Sequence, residues 1–292
     1  MAAPAEPPVG TADAAVALVS DEDVAAFRAD GAIVLRGVFT DWVDRLAAGI
    51  AANEAAPGPY GKNSARPDDP GRFFQDYCNW QRIAEFRDFV LQSPAAAIAA
   101  RLTGSRRVQF YHEHVLVKDA GTRTPTPWHH DLPYYNVSGH KTVSMWLSPD
   151  AVPRAAGMEF VAGSHRWGKL FAPRRFRDDA AFDYGDGFTP VPDVEAARDD
   201  YRILSWDVAP GDALLFSFLT LHSARPNLTA GGRRAFSARW IGDDVRFCER
   251  AGETSPPFPD IGLSDGAPMR EDWFPVVWPP RRPAAPAPSS GP

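Results

Sequence analysis

Two cysteines, Cys78 and Cys248, are all that this 292-residue chain carries. Two isolated thiols build neither a disulfide framework nor a thiolate metal site, so a reduced, cytoplasmic protein is the expectation. Positive charge is in deficit too. A formal net charge of −6 and a pI near 5.6 offer no general attraction to nucleic acid or to an anionic membrane. No apolar run approaches the roughly 18 residues of a membrane span. The opening stretch, residues 1–20, lacks the basic start and clean apolar centre of a secretory signal. Internal repeats are also missing. Apolar and aromatic residues are plentiful, at 44% and 12%, which suffices for a large core. The chain is long for one domain, but sandwiches and barrels with added helices reach this length as single units.

Residues 1–18, rich in Ala and Pro, and the Pro-rich tail 279–292 read as disordered. Between them the pattern predicts one domain over 19–278, with a helical part over 19–104, a strand-rich part over 105–245 and an extension to 278. Ser20 precedes Glu22, Asp23, Val24 and Phe27 as a helix N-cap would, and Gly31 ends that helix. Ala32–Leu35 reads as a buried strand. Thr40-Asp41 caps a second helix with Trp42, Leu46 and Ile50 on one stripe. Residues 55–72 form a Pro/Gly loop, a third helix covers 81–91, and Ser93-Pro94 starts a fourth that stops at Gly104. From Arg106 the period changes to two. Val108, Phe110, His112, His114 and Leu116 alternate with Gln109, Tyr111, Glu113 and Val115, and more strands are predicted over 142–147, 157–161, 203–206, 213–217 and 234–241. Helices first and then many short strands favour a mainly β fold, a jelly-roll-like barrel with helices outside it. The insertion 168–201 is too long for a hairpin turn, and reads as a lid or a solvated excursion.

The chain is organised around Pro127-Trp128-His129-His130-Asp131-Leu132-Pro133-Tyr134-Tyr135. In an extended segment residues i and i+2 share a face, so His129 and Asp131 converge while His130 points away. An imidazole and a carboxylate supply two arms of a 2-His-1-carboxylate triad, the site type that leaves non-haem Fe(II) with open positions. A His-x-Asp pair alone is as readily a satisfied polar pair as a metal site. Context strengthens it: Pro210-Gly211-Asp212 leads into an apolar strand, His222 follows as the third ligand candidate, and Arg233 opens the next strand.

These residues resemble the phytanoyl-CoA dioxygenase family of Fe(II)- and 2-oxoglutarate-dependent oxygenases. The family pattern is Trp-His-x-Asp with a following Tyr, a Pro-Gly-Asp turn before a distal His, then an Asn and an Arg about eleven residues beyond that His. Here those positions are Trp128, His129, Asp131, Tyr134, Pro210-Gly211-Asp212, His222, Asn227 and Arg233, and Gly163-Ser164-His165 resembles a further family turn. His130 stands where Gln is common, and Ser223-Ala224 where relatives often carry Gly-Ser. The resemblance implies a double-stranded β-helix (jelly roll, cupin-like) with iron on His129, Asp131 and His222. It also implies 2-oxoglutarate chelating through its C1 carboxylate and keto oxygen, with Arg233 on the remote carboxylate, since a fixed two-pronged cation suits that group. Arg234 would face the other way. Trp146 resembles the aromatic wall beside the cosubstrate, and Thr126 is a hydrogen-bond candidate for it.

The implied activity is hydroxylation of an unactivated C–H bond of a small organic substrate, using O2, with release of succinate and CO2 and with ascorbate as a candidate reductant. Alternatives are a desaturase or epimerase on the same site, or a non-catalytic jelly-roll binding protein. A halogenase is disfavoured, because those relatives carry a small residue where this chain has Asp131. His112 and His114 form a rival metal pair without a local carboxylate on their face. His130, His140 and His165 read as surface or supporting groups, and Arg72 and Lys118 as candidates to reach cosubstrate or substrate. Tyr134, Tyr135, Trp167, Phe171 and Phe247 are pocket candidates, with Arg174, Arg175 and Arg177 facing an anionic group or neutralised by Asp178 and Asp179.

Overall fold

A computed structural model describes residues 18–176, 180 and 187–280. The expected disorder of the first seventeen residues and of the tail from 281 lies outside them, as do Arg177, Asp178 and Asp179.

Among the described residues, four α-helices lie in the first part of the chain, with strands between them: α1 (Asp21–Asp30), α2 (Val43–Ala55), α3 (Ala84–Gln92) and α4 (Ala95–Thr103). Ser20 caps α1 in a reciprocal box with Asp23, so the orphan amides of the first turn have a partner. Gly31 and Gly104 end α1 and α4 in the left-handed conformation, where a side chain is strained. Thr40-Asp41 does not cap α2 directly. A 3-10 turn over Thr40–Trp42 comes first, and α2 starts at Val43.

Strands β1 (Ala32–Leu35), β2 (Lys62–Asn63), β3 (Phe73–Tyr77), β4 (Val108–Lys118), β7 (Thr142–Leu147), β10 (Ala213–Phe216), β12 (Arg233–Ile241) and β14 (Val276–Trp278) form the larger sheet. Its order is β1-β10-β7-β12-β4-β3-β2, with β14 also on β4. A smaller sheet runs β5-β11-β8-β9, from β5 (Thr126–His129), β8 (Met158–Val161), β9 (Ile203–Leu204) and β11 (His222–Ala224). A short pair joins β6 (Val137–Ser138) to β13 (Arg246–Phe247). The architecture is the jelly-roll, double-stranded β-helix type. Among the described residues no helix is long and apolar enough to cross a membrane.

Alternation along the strands divides the larger sheet into two faces. Phe236, Ala238 and Trp240 of β12, with Val143, Met145 and Leu147 of β7, join Ile50, Phe86 and Phe89 in the core under the helices. The intervening Arg233, Ser237 and Arg239, with Trp146, line a cavity on the inner face. Strand β4 breaks this parity. Its register against β12 slips between Arg239 and Trp240, so Trp240 pairs with Phe110 and Arg239 with His112, and Tyr111 is the extra residue. Val108 and Phe110 therefore belong to the helix-side core together with Val115 and Val117, while His114 and Leu116 line the cavity. The expected single face from Val108 to Leu116 is thus two faces joined by a bulge, which shifts every later side chain across the sheet.

The motif turns hold the sheets together. Gly211 has φ +93°, and a Cβ there would lie 2.6 Å from the Thr40 hydroxyl and 2.8 Å from its Cα. Asp212 accepts from Arg36 Nη1 (2.7 Å) and from the amides of Gly37 (2.8 Å) and Ala209 (2.9 Å). Buried Asn227 donates from Nδ2 to the carbonyls of Lys118, Asp119 and Gly231 at 2.8–3.1 Å, tying the β11–β12 turn to β4 just before Arg233. Asn227→Ala is expected to lower stability by about 2–3 kcal/mol, since it leaves buried carbonyls without donors. Chemical denaturation with an unchanged slope and a lower midpoint is the readout.

Candidate active site

The six residues singled out from the sequence, His129, Asp131, His222, Arg233, Trp146 and Thr126, line one cavity between the two sheets. His129 at the end of β5 and His222 at the start of β11 are direct cross-strand partners, with ring centroids 4.2 Å apart. Two residues earlier in the chain in each case, a backbone carbonyl fixes the ring. Nδ1 of His129 lies 2.8 Å from the Pro127 carbonyl, and Nδ1 of His222 lies 2.9 Å from that of Thr220. A carbonyl only accepts, so both Nδ1 atoms carry the proton and both Nε2 lone pairs are left for a metal. Ser164 sets the start of β11, donating to the Val161 carbonyl and accepting from the Leu221 amide at 2.9 Å.

Asp131 reaches the same point by a route the extended reading did not foresee. The strand stops at His129, and Asp131 has helical angles (φ −70°, ψ −37°) at the start of a 3-10 turn over Leu132–Tyr134. Its Oδ1 lies 3.8 Å from His129 Nε2 and 3.9 Å from His222 Nε2. The three ligand atoms are within 4.8 Å of one another, and all three residues are buried. The donor set, two neutral imidazoles and one carboxylate on one side of an open cavity, fits a non-haem Fe(II) site.

The other carboxylate oxygen, Oδ2, is held from behind. Ser144 Oγ donates to it at 2.5 Å, and the buried Arg239 guanidinium stands 3.7 Å away. Arg239 is itself positioned by the Tyr135 hydroxyl (3.0 Å) and the Ser237 carbonyl (2.6 Å). Burial alone would raise the Asp131 pKa, but Arg239, the two imidazoles and the Ser144 hydroxyl outweigh it and hold the carboxyl well below its usual range. Ser144→Ala is expected to lower metal affinity or activity about 10- to 100-fold, the usual cost of losing a ligand's supporting hydrogen bond. Iron content after dialysis is the readout.

Burial keeps the imidazoles neutral. It pushes His222 and His112 down to about 3 and His130 to about 4, and lowers His129 and His114 as well. An unfolded chain binds protons on these rings below the ordinary histidine value near 6.5, and the folded chain refuses them until lower pH. Their contribution is present above that value and is lost as pH falls towards 4. Glu113, which burial pushes up to about 8, acts in the opposite sense. It is one group against five, so the metal-free protein is expected to lose stability on acidification from pH 6.5 to 4.5. Melting temperatures across that interval test the sign.

Arg233 is a buried member of the lining of the same cavity. Among the described residues it has no carboxylate partner; Nη1 donates only to the Ala156 carbonyl and, at 3.2 Å, to that of Arg225. Burial lowers its pKa to about 10, so at neutral pH it stays cationic. A buried cation without a counter-ion is costly, and an incoming carboxylate relieves that cost. Arg234 faces the other way, in a two-pronged pair with Asp150 at 2.6 and 3.0 Å. Lys118, opposite Arg233 across β4 and β12, is fully buried with its ammonium 4.5 Å from the Phe73 ring centroid. Arg72 is elsewhere, paired at the surface with Glu54 and Asp119.

Several described residues of the insertion after β8 reach the site. His130 is buried, not a surface group, and its Nε2 accepts from the Phe171 amide at 2.9 Å. Trp128 Nε1 donates to Glu195 at 2.8 Å, and the Tyr134 hydroxyl bonds to the Arg174 backbone. The Phe176 ring lies 4.9 Å from that of His129. Tyr134 and Tyr135 line the cavity. Trp167 and Phe171 instead pack on each other in the insertion, and Phe247 belongs to a separate core cluster. His140 is exposed, and His165 meets the Arg28 carbonyl. Ser144, Ser237 and Arg239 were not singled out from the sequence. The signal was there, since they fall at even spacings from Trp146 and Arg233 on the two predicted strands.

A model of the phytanoyl-CoA dioxygenase family matches residues 27–235, most of the chain. The chain belongs to the phytanoyl-CoA dioxygenase family. It is thereby an enzyme of the iron- and 2-oxoglutarate-dependent oxygenase superfamily. Among solved structures, the fold is similar to a non-heme alpha ketoglutarate dependent carbocyclase, SnoK from nogalamycin biosynthesis. That match has TM-score 0.71 and 21% identity over 94% of this chain and 100% of that one. The epimerase SnoN from the same biosynthesis matches with TM-score 0.70 and 24% identity over 94% and 99%. EvdO2 from Micromonospora carbonacea var. aurantiaca, complexed with 2-oxoglutarate, matches with TM-score 0.59 and 21% identity over 83% and 97%. No curated protein matches the sequence.

Proposed function

We propose that His129, Asp131 and His222 hold Fe(II), that Arg233 grips the remote carboxylate of 2-oxoglutarate, and that the enzyme hydroxylates an unactivated C–H bond of a small organic substrate. The observation that carries this reading is the pairing, in one cavity, of two free Nε2 lone pairs and a carboxylate with a buried arginine that lacks an acidic partner among the described residues. Bound iron with 2-oxoglutarate supplies the oxidising chemistry, with succinate and CO2 as co-products.

The chain's own part is positioning. The Pro127 and Thr220 carbonyls fix the imidazoles, and Ser144 and Arg239 fix the carboxylate and keep it ionised. Arg233 with the Thr126 hydroxyl orients the cosubstrate along the Trp146 face, and Phe176 with Tyr134 shields the metal side from water. The carbocyclase and epimerase among the similar structures motivate a second outcome on the same site without gain of oxygen, in which a C–H hydrogen is either replaced on the opposite face or lost with ring closure. Product analysis under ¹⁸O2, after a metabolite screen for compounds that stimulate succinate release, separates the two. An ¹⁸O-bearing alcohol supports hydroxylation, and a stereoisomer or cyclised product without label contradicts it.

A further inference from the structure

A second chamber of about 390 Å³ opens beside the metal cavity and shares Tyr134, Phe176 and Ser255 with it. Its volume is in the range that takes a small organic ligand. Gln75 and Tyr77 of β3 line it, and they pair with Leu116 and His114 of β4, which line the metal cavity. Two polar groups at this junction have no partner among the described residues. Gln75 is 2% exposed and lines the chamber, and its Nε2 has no acceptor. His114 lines the metal cavity, and its buried Nε2 is likewise unmatched. Buried polar groups almost always find partners in native proteins, so two orphans on neighbouring strands, one in each cavity, call for an explanation.

Aromatic side chains flank them. The Tyr77 ring stacks on Tyr60 at 4.6 Å and lies edge-on to His114 at 5.5 Å. Tyr134 and Phe176 meet at 6.3 Å on the side shared with the metal cavity. Aromatic faces beside buried neutral hydrogen-bonding groups favour a ring that carries oxygen, and Lys62, Arg174, Arg175 and Glu253 also line the chamber.

We propose that this chamber binds the substrate, and that the substrate is an oxygenated ring compound whose ketone or hydroxyl oxygen takes the hydrogen bonds of Gln75 Nε2 and His114 Nε2. The inference rests on the oxygenase reading above and adds the substrate class and two specificity residues to it. The amide donates to either kind of oxygen. The imidazole nitrogen donates to a ketone or accepts from a hydroxyl according to its tautomer. An apolar chain of equal size would leave both groups unpaired and is rejected. Because Gln75 lines the chamber and His114 the metal cavity beside it, an oxygen held between them orients the rest of the ring relative to the metal ligands.

The test compares 2-naphthol with 2-methylnaphthalene, probes of matched shape that differ in one hydroxyl. Both are titrated anaerobically, by saturation-transfer NMR, into full-length protein carrying Zn(II) and 2-oxoglutarate. Wild type is expected to prefer 2-naphthol. Gln75→Leu and His114→Phe are each expected to shrink that preference about three- to tenfold, the worth of one hydrogen bond, with little change for 2-methylnaphthalene. Gln75→Met, closer in shape, should repeat the Gln75→Leu result, and metal content in the same samples shows that the variants fold. Equal binding of both probes by wild type, binding of neither, or a preference that survives all three substitutions overturns the proposal. A wild type that holds metal and 2-oxoglutarate but shows no preference removes the substrate assignment alone. Failure to hold 2-oxoglutarate removes the underlying oxygenase reading.

Discussion

Asp131→Ala is expected to abolish iron retention and succinate formation while the chain still folds. The substitution removes the one anionic arm of the triad and also leaves the Arg239 guanidinium, 3.7 Å behind it, buried and uncompensated. Breaking a buried ion pair from one side typically costs about 3–5 kcal/mol, which corresponds to roughly two hundred- to several thousand-fold in an equilibrium constant. Asp131→Asn keeps the shape and drops the charge, and is expected to fail as well. His129→Ala and His222→Ala should lose metal through the missing Nε2 alone, without stranding a cation. Iron content after dialysis, turnover, and circular dichroism for the fold are the measurements. Full activity of any of these variants at stoichiometric iron would remove that residue from the ligand set.

Arg233→Ala is expected to weaken 2-oxoglutarate binding by roughly 30- to several thousand-fold while iron binding survives. Arg233 is buried without an acidic partner among the described residues, whereas Arg234, the next residue, pairs with Asp150 on the other side of the sheet. Losing one partner of a desolvated, hydrogen-bonded charge pair costs about 2–5 kcal/mol, and each 1.4 kcal/mol is tenfold. Arg234→Ala should change the affinity much less and lower stability slightly, its pair being partly exposed. Anaerobic titration of 2-oxoglutarate into Fe(II)-loaded protein compares the two variants. A larger loss for Arg234→Ala, or no loss for either, would place the cosubstrate elsewhere.

The triad and Arg233 were legible because each is carried by a local pattern, and the strands hosting Arg233 and Trp146 alternate without interruption. Strand β4 was legible only in part. Tyr111 as a bulge leaves no mark in the sequence, since the alternation of Val108, Phe110, His112 and His114 with Gln109, Tyr111 and Glu113 runs through it unbroken, and the slip shows only in the pairing of Trp240 with Phe110 and Arg239 with His112. Strand β3 was missed for a related reason. All five of its residues are buried, so Phe73–Tyr77 shows no alternation, and with it went Gln75 and Tyr77 of the second chamber. Short β11 has only His222, Ser223 and Ala224, too few residues for any period. The convergence of His129 and Asp131 was anticipated on the wrong geometry: the helical turn at Asp131, not an extended strand, brings the carboxylate round. His130 appeared as a surface or supporting group because its partner, the Phe171 amide, is 41 residues away, and such a contact exists only in the folded chain.

The most direct measurement is a crystal structure grown anaerobically with Fe(II) and 2-oxoglutarate, with diffraction recorded on both sides of the iron absorption edge. The expected result is one anomalous peak bonded to Nε2 of His129, Nε2 of His222 and a carboxylate oxygen of Asp131. The remote carboxylate of 2-oxoglutarate should lie on Arg233, beside Trp146 and Thr126. An iron peak at His112 and His114, or 2-oxoglutarate bound away from Arg233, would contradict the account.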